Sequence, residues 1–110
     1  MSADDRLPTE LWVASVLRGA AAKTIPVYVL HRGAAASGTV VVKAVLGGGQ
    51  CRLFNQSRDM EGKIVWLSPL EEKIVTEARA DDYISRARSR DPDLWVIEVE
   101  DARGRNPFLL

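Results

Sequence analysis

The run TVVVKAVL at residues 39–46, followed at once by Gly47-Gly48-Gly49 and a second stretch at residues 50–56, constrains the fold more than any other feature of this chain. Branched side chains are stiff at χ1 and pack well on a pleated surface, so valine and threonine favour extended backbone. Three glycines supply the positive φ that a tight hairpin connection needs. Two antiparallel strands are therefore expected at the centre of the molecule. Lys43 is the one charge inside the valine run.

The remaining elements arrange themselves around that hairpin. A turn at residues 57–62 leads to a strand at 63–67, completing a three-strand meander, and residues 27–32 form an earlier strand. Between them, residues 33–38 are a small-residue loop with no strand pattern. Thr9, following Pro8, is placed to cap a helix whose stripe is Trp12, Val13, Val16, Leu17 and Ala20. That helix should end over residues 20–24, because the residue before Pro26 is pushed out of helical geometry. Residues 70–75 carry no decisive pattern and are left unassigned. Thr76 can cap a second helix running to about Arg90, with Ala80, Tyr83, Ile84 and Ala87 as its stripe. Asp91-Pro92-Asp93 stops it, and residues 94–100 alternate as a fifth strand before a charged turn at 101–105. The expected fold is α+β: one mainly antiparallel five-stranded sheet with two helices, in the order α-β-β-β-β-α-β. Residues 1–110 form a single domain, with a polar leader at 1–8 and an apolar tail at 106–110.

The 15 basic residues balance 15 acidic ones, which argues against a general nucleic-acid or membrane-surface binder, whose affinity rests on summed positive charge. The opening MSADDRLP lacks the basic start and apolar core of a secretory signal, and the apolar runs fall far short of the roughly 20 residues that span a bilayer. A cytoplasmic protein is expected. Cys51 is the single cysteine, so no intramolecular disulfide or cysteine-rich zinc site forms. No metal or cofactor is implied.

Three segments carry a resemblance: LPTELWVASVLR, HRG followed by SGTVVVKAV, and DPDLWVIEVED followed by GRNP. Together they resemble the bacterial family known as domain of unknown function 1491, over nearly the whole chain. Ala34 departs from the acidic residue expected after Arg32-Gly33, which argues against a charge-based role for that loop. The resemblance implies no activity, cofactor or site.

Strand parity separates two faces. One set is purely apolar: Val27 and Val29; Val40, Val42, Ala44 and Leu46; Cys51 and Leu53; Ile64 and Trp66; Trp95, Ile97 and Val99. The other is mixed, with Tyr28, Leu30 and Arg32; Val41, Lys43 and Val45; Arg52, Phe54 and Gln56; Lys63, Val65 and Leu67; Leu94, Val96, Glu98 and Glu100. Both helical stripes could cover the apolar face, which makes it the main core. The mixed face is too apolar for water and needs a cover: a second copy, one of the helices, or the tail Phe108-Leu109-Leu110. A second copy is favoured, with Val41, Val45, Val65 and Leu67 as the candidate interface of a homodimer.

Each candidate functional group has a plainer alternative. His31 has no neighbouring metal pair or triad partner and reads as a strand-end residue. Cys51 falls in the apolar set, where cysteine behaves as a small hydrophobe. The glycine triplet lacks the lysine and hydroxyl residue of a phosphate loop. Glu98 and Glu100 share a face with Asp101 nearby, yet such carboxylates more often pair with bases on adjacent strands, here Lys43, Arg52 or Lys63. The basic and aromatic set Tyr28, Arg32, Lys43, Arg52 and Phe54 could stack and neutralise single-stranded nucleic acid, but the surrounding valines and leucines fit burial better. The favoured reading is a binding or protein-interaction module without chemistry of its own. The alternatives are a small enzyme using Glu98, Asp101 or His31 near Arg32 and Arg58, or a single-strand binder. Tyr28, Arg32, Lys43, Arg52, Phe54, Arg58 and Glu98 are the candidate ligand face.

Overall fold

A computed structural model describes residues 7–110; residues 1–6 of the expected polar leader lie outside them. In chain order the elements are α1 (Thr9–Ala22), β1 (Val27–His31), β2 (Val40–Gly47), β3 (Gln50–Arg58), β4 (Ile64–Leu67), β5 (Val75–Thr76), α2 (Glu77–Arg90), β6 (Trp95–Glu100) and a 3-10 turn at Pro107–Leu109. Thr76 caps α2 as expected, its hydroxyl accepting from the Arg79 N–H. Thr9 does not cap α1. Pro8 holds that position, and Thr9, inside the first turn, donates its hydroxyl to the Gly38 carbonyl at 2.8 Å. The N–H groups of Thr9 and Glu10 are taken by the carbonyls of Ala36 and Ala35. The small-residue loop thus serves as the cap, satisfying donors that every helix start leaves open.

The fold is α+β with two helices, as expected, but its sheet is mixed instead of mainly antiparallel. The strand order is β1-β6-β2-β3-β4, with the additional short strand β5 beside β3. β6 enters between β1 and β2, antiparallel to the first and parallel to the second. The cause is the connection through α2. β5 runs antiparallel to β3, which runs antiparallel to β2, so β5-α2-β6 is a parallel crossover. α2 supplies the long connection that parallel strands require.

The crossover also decides what covers the sheet. α1 lies on one face over Val40, Val42, Ala44, Ile97 and Val99, and α2 lies on the other over Val41, Cys51, Leu53 and Val96. The two helices do not share the apolar face. The cover expected of a second copy is α2 itself, and Val41, only 3% exposed, is sealed beneath it. Val45 is half-buried on the same side, while Leu67 and part of Val65 lie towards the β4 edge. The C-terminal tail folds onto the α1 face, where Phe108 meets Trp12 and Trp66 at centroid distances of 4.8 and 5.2 Å.

Parity fails in two strands: at the end of β1, where a register shift between Val29 and His31 breaks the alternation and Arg32 lies on the α1 side with Glu10 and Trp95, and throughout β3. A two-residue connection across Gly48-Gly49 sets Gly47 opposite Gln50 and, continued without interruption, puts Cys51 and Leu53 on the face of Leu46 and Ala44. A bulge between Val45 and Gly47 shifts the register, so that Val45 pairs with Cys51 and Val42 with Phe54. A bulge inserts one residue and reverses the facing of everything beyond it. Phe54 and Arg52 therefore belong to the α1 face, and Cys51 and Leu53 to the α2 face.

Candidate functional site

Lys43 sits at the middle of β2 with its side chain only 4% exposed. A buried ammonium is costly unless paired, and three carboxylates meet it: Glu77 and Asp81 of α2 at 2.8 Å each, and Glu98 of β6 at 3.3 Å. Burial by itself lowers the Lys43 pKa, but the hydrogen bonds to Asp81 and Glu77 and the charges of Asp81 and Glu98 outweigh it. The ammonium is held above the ordinary lysine value. Glu77 and Asp81 are one helical turn apart, on the side of α2 that turns to the sheet with Ala80 and Ile84. The result is an ionic clasp between helix and sheet. Its single positive charge against three negative ones leaves the cluster net negative.

α2 crosses β3 and β2 and leaves the β6–β1 side of the same face open. There lies a cleft of about 450 Å³, floored by Leu30, Ile84 and Val96 and rimmed by His31, Asp81, Ser85, Arg88, Ser89 and Pro92. His31 is half-buried, its Nε2 3.5 Å from the Pro92 carbonyl oxygen. Asp81 is shared with the clasp, whereas the Arg88 side chain makes no ion pair or hydrogen bond among the described residues. Beside the cleft, β1 is the outermost strand, with Tyr28 and Leu30 47% and 50% exposed.

The residues singled out in the sequence divide between the two faces. Lys43 and Glu98 come together, with Tyr28 directly opposite Glu98 on β1. Arg52 and Phe54 lie on the α1 side, the guanidinium 4.8 Å from the ring centroid and the ring buried in the core. Arg32 pairs with Glu10 of α1 and stands 5.2 Å from the Trp95 ring. Arg58, at the end of β3, donates to the Gly62 carbonyl at 2.6 Å; two strands lie between β3 and β1, a span of about 14 Å at ordinary strand spacing. The open basic and aromatic sheet face required for stacking single-stranded nucleic acid does not form, because its members lie on opposite faces of the sheet, with Lys43 sealed beneath α2 and Phe54 buried on the α1 side. Nor do His31, Glu98, Asp101, Arg32 and Arg58 converge in one pocket. Asp101 is instead clamped by Arg105, whose Nε and backbone N–H each lie 2.9 Å from Oδ2, and this holds the carboxyl down at about 2. Cys51 is fully buried, and burial pushes its thiol up, away from the reactive thiolate. Among the described residues no group of three or more His, Cys, Asp or Glu is placed to hold a metal ion, and no helix is long and apolar enough to cross a membrane.

Sequence reasoning missed Glu77, Asp81 and the cleft residues of α2. The signal for the clasp was present: a lysine within a buried valine strand demands counter-charges, and Glu77 and Asp81 share a helix side with an apolar stripe. The cleft has no such signal, because it depends on how far α2 reaches across the sheet.

The family model described as protein of unknown function (DUF1491) matches residues 7–109. The chain belongs to that family. Two structures of DUF1491 family proteins from Caulobacter crescentus, one by crystallography and one by NMR, are each 37% identical to it. Each comparison covers 93% of this chain and 92% of the other, with TM-scores of 0.79 and 0.80. The solution structure of protein Atu0922 from A. tumefaciens is 26% identical, covering 87% of this chain and 86% of that one, with a TM-score of 0.72. None of the curated proteins matches the chain. The HRG, SGT and DPDLW segments meet in the structure. A Cβ on Gly33 or Gly38 would lie 2.0 or 2.2 Å from the Asp93 carbonyl oxygen, closer than any side chain permits. Ala34 adds backbone contacts, donating to the Asp93 carbonyl and accepting from the Trp95 indole at 2.8 Å. These segments lock the end of β1 to the start of β6.

Proposed function

We propose that the protein is a small cytosolic binding module that takes an extended segment of another polypeptide along the open edge of β1, seating one of its side chains in the cleft against α2. The observation that carries this reading is the juxtaposition of an outermost strand with an apolar-floored cleft beside it. In strand addition, main-chain hydrogen bonds supply affinity and an adjacent pocket supplies selectivity. The Glu100 N–H bonds to the Pro26 carbonyl, so by antiparallel alternation Tyr28 bonds to β6 while the amide groups of Val27 and Val29 point outward. Edges are usually blunted by charge or shortness. β4, at the far edge, has four residues, whereas β1, VYVLH, is five residues long with no lysine, arginine or carboxylate; its one irregularity, a register shift between Val29 and His31, leaves residues 27–29 as the regular stretch that a partner strand would pair with. The groups with strongly shifted pKa values, Lys43 and Asp101, are committed to ion pairs and do not line the cleft, which supports binding over catalysis.

A second reading keeps the module and makes the occupant another copy of the chain, giving a homodimer. It rests on the exposed apolar side chains of β1, Tyr28 and Leu30, which a second copy of the same edge would cover. The test is light scattering across dilution, together with fluorescence anisotropy of labelled, C-amidated eight-residue peptides of alternating threonine and leucine. Saturable binding that is lost in Val29→Pro, whose missing N–H faces outward and costs no internal hydrogen bond, supports strand addition. A mass that doubles with concentration and is halved by the same variant assigns the edge to a second copy. A monomer that binds no strand-forming peptide overturns both readings.

A further inference from the structure

The cleft is electrically uneven along its length. Asp81 and Arg88 are seven residues apart on α2, about 10 Å along the helix axis. At the Asp81 end stands the clasp, with three carboxylates around one buried ammonium. At the other end stands Arg88, exposed and without an ion pair among the described residues, beside Ser85, Ser89, His31 and Pro92. We infer that the extended segment bound at β1 carries an acidic side chain, aspartate or glutamate, which pairs with Arg88 at the end of the cleft nearest His31. The inference deepens the strand-addition reading and rests on it.

Charge fixes the position of the acid. The net negative clasp repels an anion from the Asp81 end, and Arg88 is the cationic group of the lining with charge to spare. Its planar fork suits a carboxylate, and the neighbouring Ser85 hydroxyl can donate alongside it. The apolar floor between the ends, Leu30, Ile84 and Val96, takes the aliphatic side chain that precedes or follows the acid. A side-chain carboxylate is favoured over a chain terminus. Capture of a terminus relies on converging main-chain donors, and the wall at this end is Pro92, which has no N–H.

The experiment compares the threonine–leucine peptides after replacing each position in turn with glutamate or glutamine, by anisotropy at low salt, on the wild type, Arg88→Gln and Arg88→Lys. At one position glutamate should bind the wild type about fivefold more tightly than glutamine, the scale of a well-placed exposed ion pair. Arg88→Gln should abolish that preference without weakening the glutamine peptide, and Arg88→Lys should retain part of it. Equal binding of the two peptides to the wild type, or a preference that persists in Arg88→Gln, overturns the acidic specificity and leaves strand addition standing. A preference that appears only when the C-terminal amide is replaced by a free carboxylate overturns it in favour of a terminal carboxylate. If none of the peptides binds the wild type, the acidic specificity and strand addition fall together.

Discussion

The two faces of the sheet are built on different principles. Under α1, Trp12, Trp66 and Phe108 close on a floor of valine, alanine and isoleucine, and buried apolar residues run from β1 to β4. Under α2, an apolar patch of similar make-up surrounds one buried lysine that ties the helix to β2 and β6, and the helix stops short of β1. Non-directional burial tolerates small shifts of the helix it holds, whereas an ion cluster fixes a helix at one point and leaves its far end to other contacts. A face that must both hold together and admit a ligand gains from the second arrangement. The side of the α2 face over β1 is open because α2 is held over β2 and β3, by the clasp and by the buried Ala80, Ile84 and Ala87.

That contrast makes the α1 face the more expensive to damage. Trp12→Ala removes a ring packed edge-on to Phe108 and against Trp66, and should cost about 4 kcal/mol in urea unfolding, the usual loss for a buried aromatic. The loss should be the same across neutral and mildly alkaline pH, since no ionisable group is exchanged. A cost below about 1 kcal/mol would mean that the aromatic cluster is ornamental to the core and would break the contrast at its stronger side.

On the α2 face, Lys43→Met keeps the volume of the stem and deletes the charge. It should cost about 3 kcal/mol, because three carboxylates are left facing one another without their counter-ion. The pH dependence separates this from a packing defect. The folded-state pKa of Lys43 is raised, so its contribution is complete below the unfolded value of about 10.4 and is lost as pH rises through the folded one. Wild type and variant should therefore converge in stability only at strongly alkaline pH. Divergence that is unchanged there would show that the methionine simply packs badly.

The α1 face has its own ionic element, and it is local. Asp101 and Arg105 close the turn after β6, over Leu46 and Arg52, with Gly104 at φ 65 between them. With the Asp101 carboxyl lowered from 3.8 to about 2 by Arg105, its stabilisation is present above pH 3.8 and is lost as pH falls through about 2. Asp101→Asn should cost on the order of 2 kcal/mol at neutral pH, with the gap to wild type closing towards pH 2. This acid-side signature mirrors the alkaline one of Lys43 and assigns one pH limb to each face.

Much of the fold could be read from pattern, and the failures have identifiable causes. The hairpin over the glycine triplet, the stripe of each helix and the Thr76 cap follow from local rules, and all are found. The parity of β3 fails at one residue, because a bulge at the end of β2 costs little locally yet inverts everything beyond it. The insertion of β6 between β1 and β2 leaves no local trace, since it is the outcome of a crossover spanning β5 and α2. Of the candidate site, the pairing of Lys43 with Glu98 was accessible as a charge on one strand facing a base on another. The cleft was not, because Leu30, His31, Arg88 and Pro92 are brought together only by the register of β1 and the reach of α2.

The smallest expected effect probes the open side directly. Arg88 is exposed, with no ion pair among the described residues, so Arg88→Gln should change stability by less than about 0.5 kcal/mol, as surface substitutions away from structural features usually do. A neutral result makes Arg88 a residue that the fold does not need, in contrast to Lys43 on the same face, and it is what a group reserved for a ligand should give. A loss of about 1 kcal/mol or more would assign Arg88 to holding the last turns of α2, and the division of the α2 face into a fixed half and an open half would have to be redrawn.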